Sequence, residues 1–172
     1  LRMLESFLGA EKFRQGLHDY LTRHQYANAR TQDLWDALGE ASGQPVSAIM
    51  DTWVKQTGYP VIDVQILRGP RGIELAASQS RFVYEHVADP QSADDTVWHV
   101  PLSATTAAGA PPAPVLMDGR RTAMPLALPA GEPADGWVKV NPGQTGFYRV
   151  NYSPEDWSRL RPAIQGLALP PS

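Results

Sequence analysis

The sequence predicts an α+β chain: a short helical segment, then an antiparallel β-sandwich of about seven strands, then a C-terminal helix. Three observations carry this. Of the 16 prolines, only Pro45 and Pro60 fall within residues 1–60, and the other 14 follow. Helices exclude interior proline, whereas loops between strands accept it. Apolar spacing also changes at Pro60, from steps of three and four to alternation. Beyond that point short apolar runs recur between Gly and Pro punctuation, the rhythm of a sandwich.

In the helical part, Leu1, Leu4, Phe7 and Leu8 share one helical face, and Gly9 is a natural stop. A second helix opens at Ala10-Glu11, its acid favoured by the macrodipole. Phe13, Leu17, Tyr20 and Leu21 form its apolar stripe. Thr31 is the expected N-cap of a third helix, with Leu34, Trp35 and Leu38 inward and Gly43 ending it. Val46, Ile49, Met50, Trp53 and Val54 mark a fourth, closed by Gly58 and Pro60.

In the β part, Ile62, Val64 and Ile66 alternate with polar residues, as in a half-buried strand. A turn at Gly69-Pro70-Arg71-Gly72 leads into Ile73–Phe82 and makes a hairpin. Val97–Leu102 reads as a third strand. Val115–Met117 and Thr122–Leu128 flank the tight-turn pair Asp118-Gly119. Residues 107–114 and 129–136 read as loops. Trp137–Asn141 and Gly146–Tyr152 are expected to pair across Pro142-Gly143. Ser153 then caps a last helix with Pro154 in its first position. Trp157, Leu160, Ile164 and Leu167 supply its apolar face before Pro170-Pro171.

Composition excludes several classes of function. The chain has 172 residues, is 42% hydrophobic and 19% charged, and so is suited to folding. Its 15 basic residues are scattered and its net charge is −3, which argues against a nucleic-acid footprint. Apolar runs fall far short of the roughly 20 residues of a membrane helix. With no cysteine there is neither a disulfide nor a thiolate metal ligand, which fits a cytosolic chain.

The residue types that carry chemistry do not assemble into a motif. His18 and His24, six apart on one helix, point about 240° apart and cannot share an ion there. His86 falls in a loop and His99 in a strand, without an acidic partner at motif spacing. Ser42, Ser78 and Ser80 lack the strained turn of a serine nucleophile. Asp89, Asp94 and Asp95 form an acidic loop without calcium-loop spacing. The glycines near Gly69 and Gly72 are not followed by a helix, so they do not cradle phosphate. Trp53, Trp98, Trp137 and Trp157 fit inward faces or contacts between elements better than a sugar platform. No residue is assigned a catalytic, substrate-binding or metal-ligating role.

Several blocks together do carry a resemblance. They are Phe13-Arg14 with Gly16-Leu17 and Tyr20-Leu21, Tyr26-Ala27-Asn28-Ala29 with Asp33-Leu34-Trp35, and Trp53 to Val61 with its Gly58-Tyr59-Pro60 turn. Further on come Gln79 with Arg81-Phe82, Trp98 with Val100-Pro101-Leu102, Trp137 with Lys139 and Asn141, and Gln144 to Tyr152. In this order they resemble the region after the active site of zinc aminopeptidases of the aminopeptidase N and puromycin-sensitive type.

That resemblance implies a parent metallo-aminopeptidase, a hydrolase that removes N-terminal residues from peptides. In such enzymes a His-Glu-x-x-His motif and a later Glu hold zinc, a Gly-x-Met-Glu-Asn loop holds the free amine, and a Tyr stabilises the oxyanion. None of these motifs occurs in this sequence, and none of its tyrosines matches that Tyr's position. The resemblance therefore implies an internal fragment that begins in mid-helix. Residues 1–60 would end the catalytic domain, 61–152 would be a sandwich spacer, and 153–172 would open a C-terminal helical domain. Zinc would belong to the parent, with none bound here, and the partners would be the rest of that polypeptide and, in the parent, its peptide substrate. The alternative is a free-standing interaction module, engaging another protein through a sandwich edge or the Pro-rich loop at 107–114.

Overall fold

A computed structural model describes residues 1–69, 72–82, 95–107, 113–126 and 135–166. The expected turn residues Pro70 and Arg71, most of the loops at 107–114 and 129–136, and the end of the last helix at Leu167 lie outside the described residues. The chain is α+β and divides into two compact units, Leu1–Thr57 and Gly58–Ser172.

The first unit holds four helices: α1 (Arg2–Leu8), α2 (Ala10–Arg23), α3 (Thr31–Ser42) and α4 (Val46–Val54). Leu4, Leu8, Trp35, Ala37, Leu38, Val46 and Ile49 form its buried core. Helices α2 and α3 meet at Gly16, where an added Cβ would lie 2.9 Å from the Leu38 Cα. Only a residue without a side chain allows that approach. The stripe expected on α2 is largely not core: Leu17 and Leu21 are exposed, Phe13 and Tyr20 half-buried. Capping of α3 also differs from expectation, because Arg30 occupies the cap position and Thr31 is already helical. The Arg30 N–H donates to the Asp33 carboxylate at 2.7 Å, which satisfies a donor outside the first turn. Gly43 ends α3 in the left-handed conformation, as its sequence position suggests.

The second unit is built on β1 (Pro60–Gly69) and β2 (Gly72–Arg81), an antiparallel hairpin paired along its full length from Pro60↔Arg81 to Gly69↔Gly72. Six further strands are described: β3 (Val100–Leu102), β4 (Ala104–Thr106), β5 (Val115–Met117), β6 (Arg121–Leu126), β7 (Val138–Val140) and β8 (Arg149–Asn151). They form a four-stranded sheet of order β6-β2-β1-β8 and two short pairs, β3-β5 and β4-β7. Ile62 and Val64 of β1 and Ile73, Leu75 and Ala77 of β2 face the core, alternating with less buried neighbours. Trp98, Val100, Leu102, Met117, Val138 and Val140 are also buried.

Two expectations on pairing are corrected, and one strand is added. The segment Gly146–Tyr152 does not pair with Trp137–Asn141; β8 runs parallel to β1, and β7 pairs with β4. The sheet is therefore mixed at that edge. Strands β5 and β6 flank Asp118-Gly119 but pair with β3 and β2 respectively, so that turn changes sheets rather than closing a hairpin. Strand β4 was not expected, since Ala-Thr-Thr carries no apolar alternation.

The last helix, α5 (Pro154–Gln165), begins as expected. Ser153 Oγ accepts from the Asp156 N–H at 3.1 Å, and Pro154 holds the first position. Its inward face is Asp156, Leu160 and Ala163, with Trp157 and Ile164 each 48% exposed. The expected face is rotated, because Asp156 is drawn inward by an ion pair.

Candidate functional site

The Gln144–Tyr152 block, which carries much of the resemblance, walls an open cleft of about 530 Å³ in the second unit. Its lining includes Tyr59, Lys139, Phe147, Arg149, Tyr152 and Trp157. The floor is fixed by the loop after β7. Asn141 and Gln144 both have positive φ, 55° and 49°, a conformation that side-chain-bearing residues adopt at a cost. The Asn141 amide compensates for it, donating to the Gly146 carbonyl at 3.0 Å and accepting from the Gly146 N–H at 2.9 Å. The Tyr148 ring leaves no room for a Cβ at Gly146. Sequence, clamp and conformation thus specify one loop.

Tyrosines anchor the walls. The Val140 N–H donates to the Tyr152 hydroxyl at 2.8 Å, and burial pushes the Tyr152 hydroxyl well above its usual pKa. Burial likewise pushes Tyr148 up to about 12. Both stay neutral at physiological pH and serve as packing groups with a polar tip. Tyr59 stacks on Phe82 with ring centroids 5.0 Å apart and meets Phe147 edge-on at 5.8 Å. Arg149 lies over the Tyr59 ring and donates to its hydroxyl at 3.2 Å. Trp157 meets Tyr152 edge-on at 5.2 Å. Lys139 is partly buried, which lowers its pKa, and its Nζ donates to the Val140 carbonyl at 2.8 Å.

The histidines, serines and acids singled out in the sequence have separate local surroundings where they are described. His18 is exposed, and His24 tilts against Tyr20 with centroids 5.4 Å apart. His99 is half-buried, next in sequence to the buried Trp98. His86, Asp89 and Asp94 lie outside the described residues. Asp95 makes a surface ion pair with Arg120 at 2.9 Å. Ser42 is buried and its hydroxyl donates to the Leu38 carbonyl at 2.6 Å, while Ser78 and Ser80 sit on β2. Among the described residues no three His, Cys, Asp or Glu side chains come together as a group that could hold a metal ion. Of the tryptophans weighed as packing groups, Trp98 is fully buried, Trp53 and Trp137 half-buried, and Trp157 turns a face to the cleft.

The cleft itself escaped sequence reasoning. Its one legible signal is the Asn141-Pro142-Gly143-Gln144 turn followed by Phe147, an aromatic beside a loop with no apolar alternation to bury it.

Comparison with known proteins shows what the chain is similar to. The family model described as Peptidase family M1 domain matches residues 1–53. The chain is 37% identical to Aminopeptidase M1-B of Oryza sativa subsp. japonica, over 98% of this chain and 19% of that protein. It is 39% identical to Puromycin-sensitive aminopeptidase of Caenorhabditis elegans, over 98% of this chain and 17% of that protein. The chain belongs to the M1 peptidase family. Glutamyl aminopeptidase of Rattus norvegicus is 38% identical over 91% of this M1 chain and 16% of its own length. The M1 chain thus spans less than a fifth of the length of these curated relatives.

Proposed function

We propose that this M1 chain is the non-catalytic scaffold and spacer of a zinc-dependent aminopeptidase that removes N-terminal residues from peptides. Residues 1–60 end the peptidase domain, 61–152 form the spacer, and 153–172 open a C-terminal helical domain. Zinc and the peptide substrate engage residues elsewhere in the parent polypeptide. One observation carries the reading: the M1 domain match stops at residue 53, inside α4, while similarity to whole aminopeptidases continues across the sandwich. The absence of His-Glu-x-x-His from the sequence points the same way, since function lives in sites and not in folds.

The test compares two samples on an aminoacyl p-nitroanilide. The 172-residue chain alone is expected to release no product, and the whole polypeptide that contains it is expected to be active. Turnover by the chain alone, abolished by a zinc chelator, would overturn the proposal.

A further inference from the structure

We propose that the cleft beside β7 and β8 binds an extended polypeptide segment in which an Asp or Glu side chain neighbours an aromatic residue. This goes beyond the spacer role and does not depend on aminopeptidase activity.

The walls supply the first half of the argument. Phe147 is 67% exposed and Trp157 48%, and with Tyr59 they present aromatic surface to one concavity. Large aromatics left in solvent around a cleft of about 530 Å³ have the size and chemistry of a recognition site. The loop beneath them is preformed: two strained residues are held by the Asn141 clamp. Backbone strain persists where its surroundings over-determine it, and it clusters at binding clamps.

Charge supplies the second half. Lys139 and Arg149 line the cleft, and the described residues that line it include no acid. Lys139 is desolvated, its ammonium meets a backbone carbonyl, and burial lowers its pKa with no carboxylate among the causes. A half-buried ammonium facing an acid-free concavity is complementary to a carboxylate, and an incoming carboxylate would restore the solvation that burial removed.

The carboxylate belongs to a side chain and not to a chain end. A terminal carboxylate is captured by a nest of backbone N–H groups. In this loop two of those donors are already used: Gln144 N–H donates to the Asn141 carbonyl at 3.1 Å, and Gly146 N–H to the Asn141 side chain.

Calorimetric titration of the full chain with three probes tests this: N-acetyl-Phe-Glu-amide, its Gln counterpart, and N-acetyl-Phe with a free carboxylate. The Glu probe is expected to bind about tenfold more tightly than the Gln probe, and the free acid more weakly than the Glu probe. Lys139→Met is expected to erase the Glu preference, Lys139→Arg to restore it, and Lys55→Met, in the other unit, to leave it unchanged. A thermal melt checks that Lys139→Met is folded; if it is not, the Glu-against-Gln comparison on the unaltered chain decides. Equal binding of Glu and Gln probes, no binding of any, or a preference for the free acid would overturn the proposal. No readout involves zinc or hydrolysis, so its failure is distinct from failure of the spacer reading.

Discussion

The guanidinium of Arg68 on β1 lies 2.9 Å from the carboxylate of Asp156 on α5, with the side chains only 17% and 7% exposed. Arg68 also reaches the Gly136 carbonyl at 3.4 Å, and Ser153 Oγ donates to the second Asp156 oxygen at 2.8 Å. The pair joins residues 88 positions apart and fixes the start of α5 on the sheet. A buried pair adds little over a well-packed apolar substitute, but breaking one leaves a buried charge without its counter-ion.

Asp156→Ala is therefore expected to destabilise the second unit by about 3–5 kcal/mol, and the double replacement Arg68→Met with Asp156→Leu by clearly less. Urea unfolding of both variants checks this. Equal losses would show that the pair acts only through packing.

Gly146→Ala is expected to cost about 1–3 kcal/mol, because the new methyl meets the buried Tyr148 ring, with Cδ1 at 2.7 Å. Gly119→Ala, whose Cβ would meet nothing within 4 Å, is expected to stay within about 0.5 kcal/mol of the parent. Thermal melts of the two variants side by side distinguish a steric role for Gly146 from a general cost of losing glycine.

Tyr148 gives a pH dependence with a defined sign. Its folded pKa of about 12 lies above the ordinary value of 10.0, so the unfolded chain releases this proton first as pH rises. The stabilisation is complete below pH 10 and is lost between about pH 10 and 12, by roughly 2–3 kcal/mol. Tyr148→Phe is expected to lose less stability over that window than the parent. Denaturant unfolding at neutral pH and across the alkaline range checks it, and parallel losses in both proteins would refute the assignment.

Legibility in the sequence followed the range of the interactions. The β1–β2 hairpin, the Gly43 stop and the Ser153 cap were readable because their partners sit within a few residues. The partners of β7 and β8 were not, since parallel pairing of β8 with β1 joins segments nearly the whole sandwich apart and leaves no local mark. The face of α5 was misjudged for a related reason. Hydropathy placed Trp157 and Ile164 inward, but Arg68, itself far off in sequence, turns Asp156 inward in their place. The cleft was hidden because left-handed Asn141 and Gln144 are features of conformation, and propensity favours glycine there. The absence of a His-Glu-x-x-His string, by contrast, is readable at once, since that motif is local.

On the function proposed above, this M1 chain carries the framework of an aminopeptidase while the zinc is held elsewhere in the parent polypeptide. Zinc analysis of the purified 172-residue chain, after equilibration with the metal and gel filtration, tests it most directly. Zinc far below one per chain is expected. One tightly held zinc per chain, removed by chelator, would contradict it.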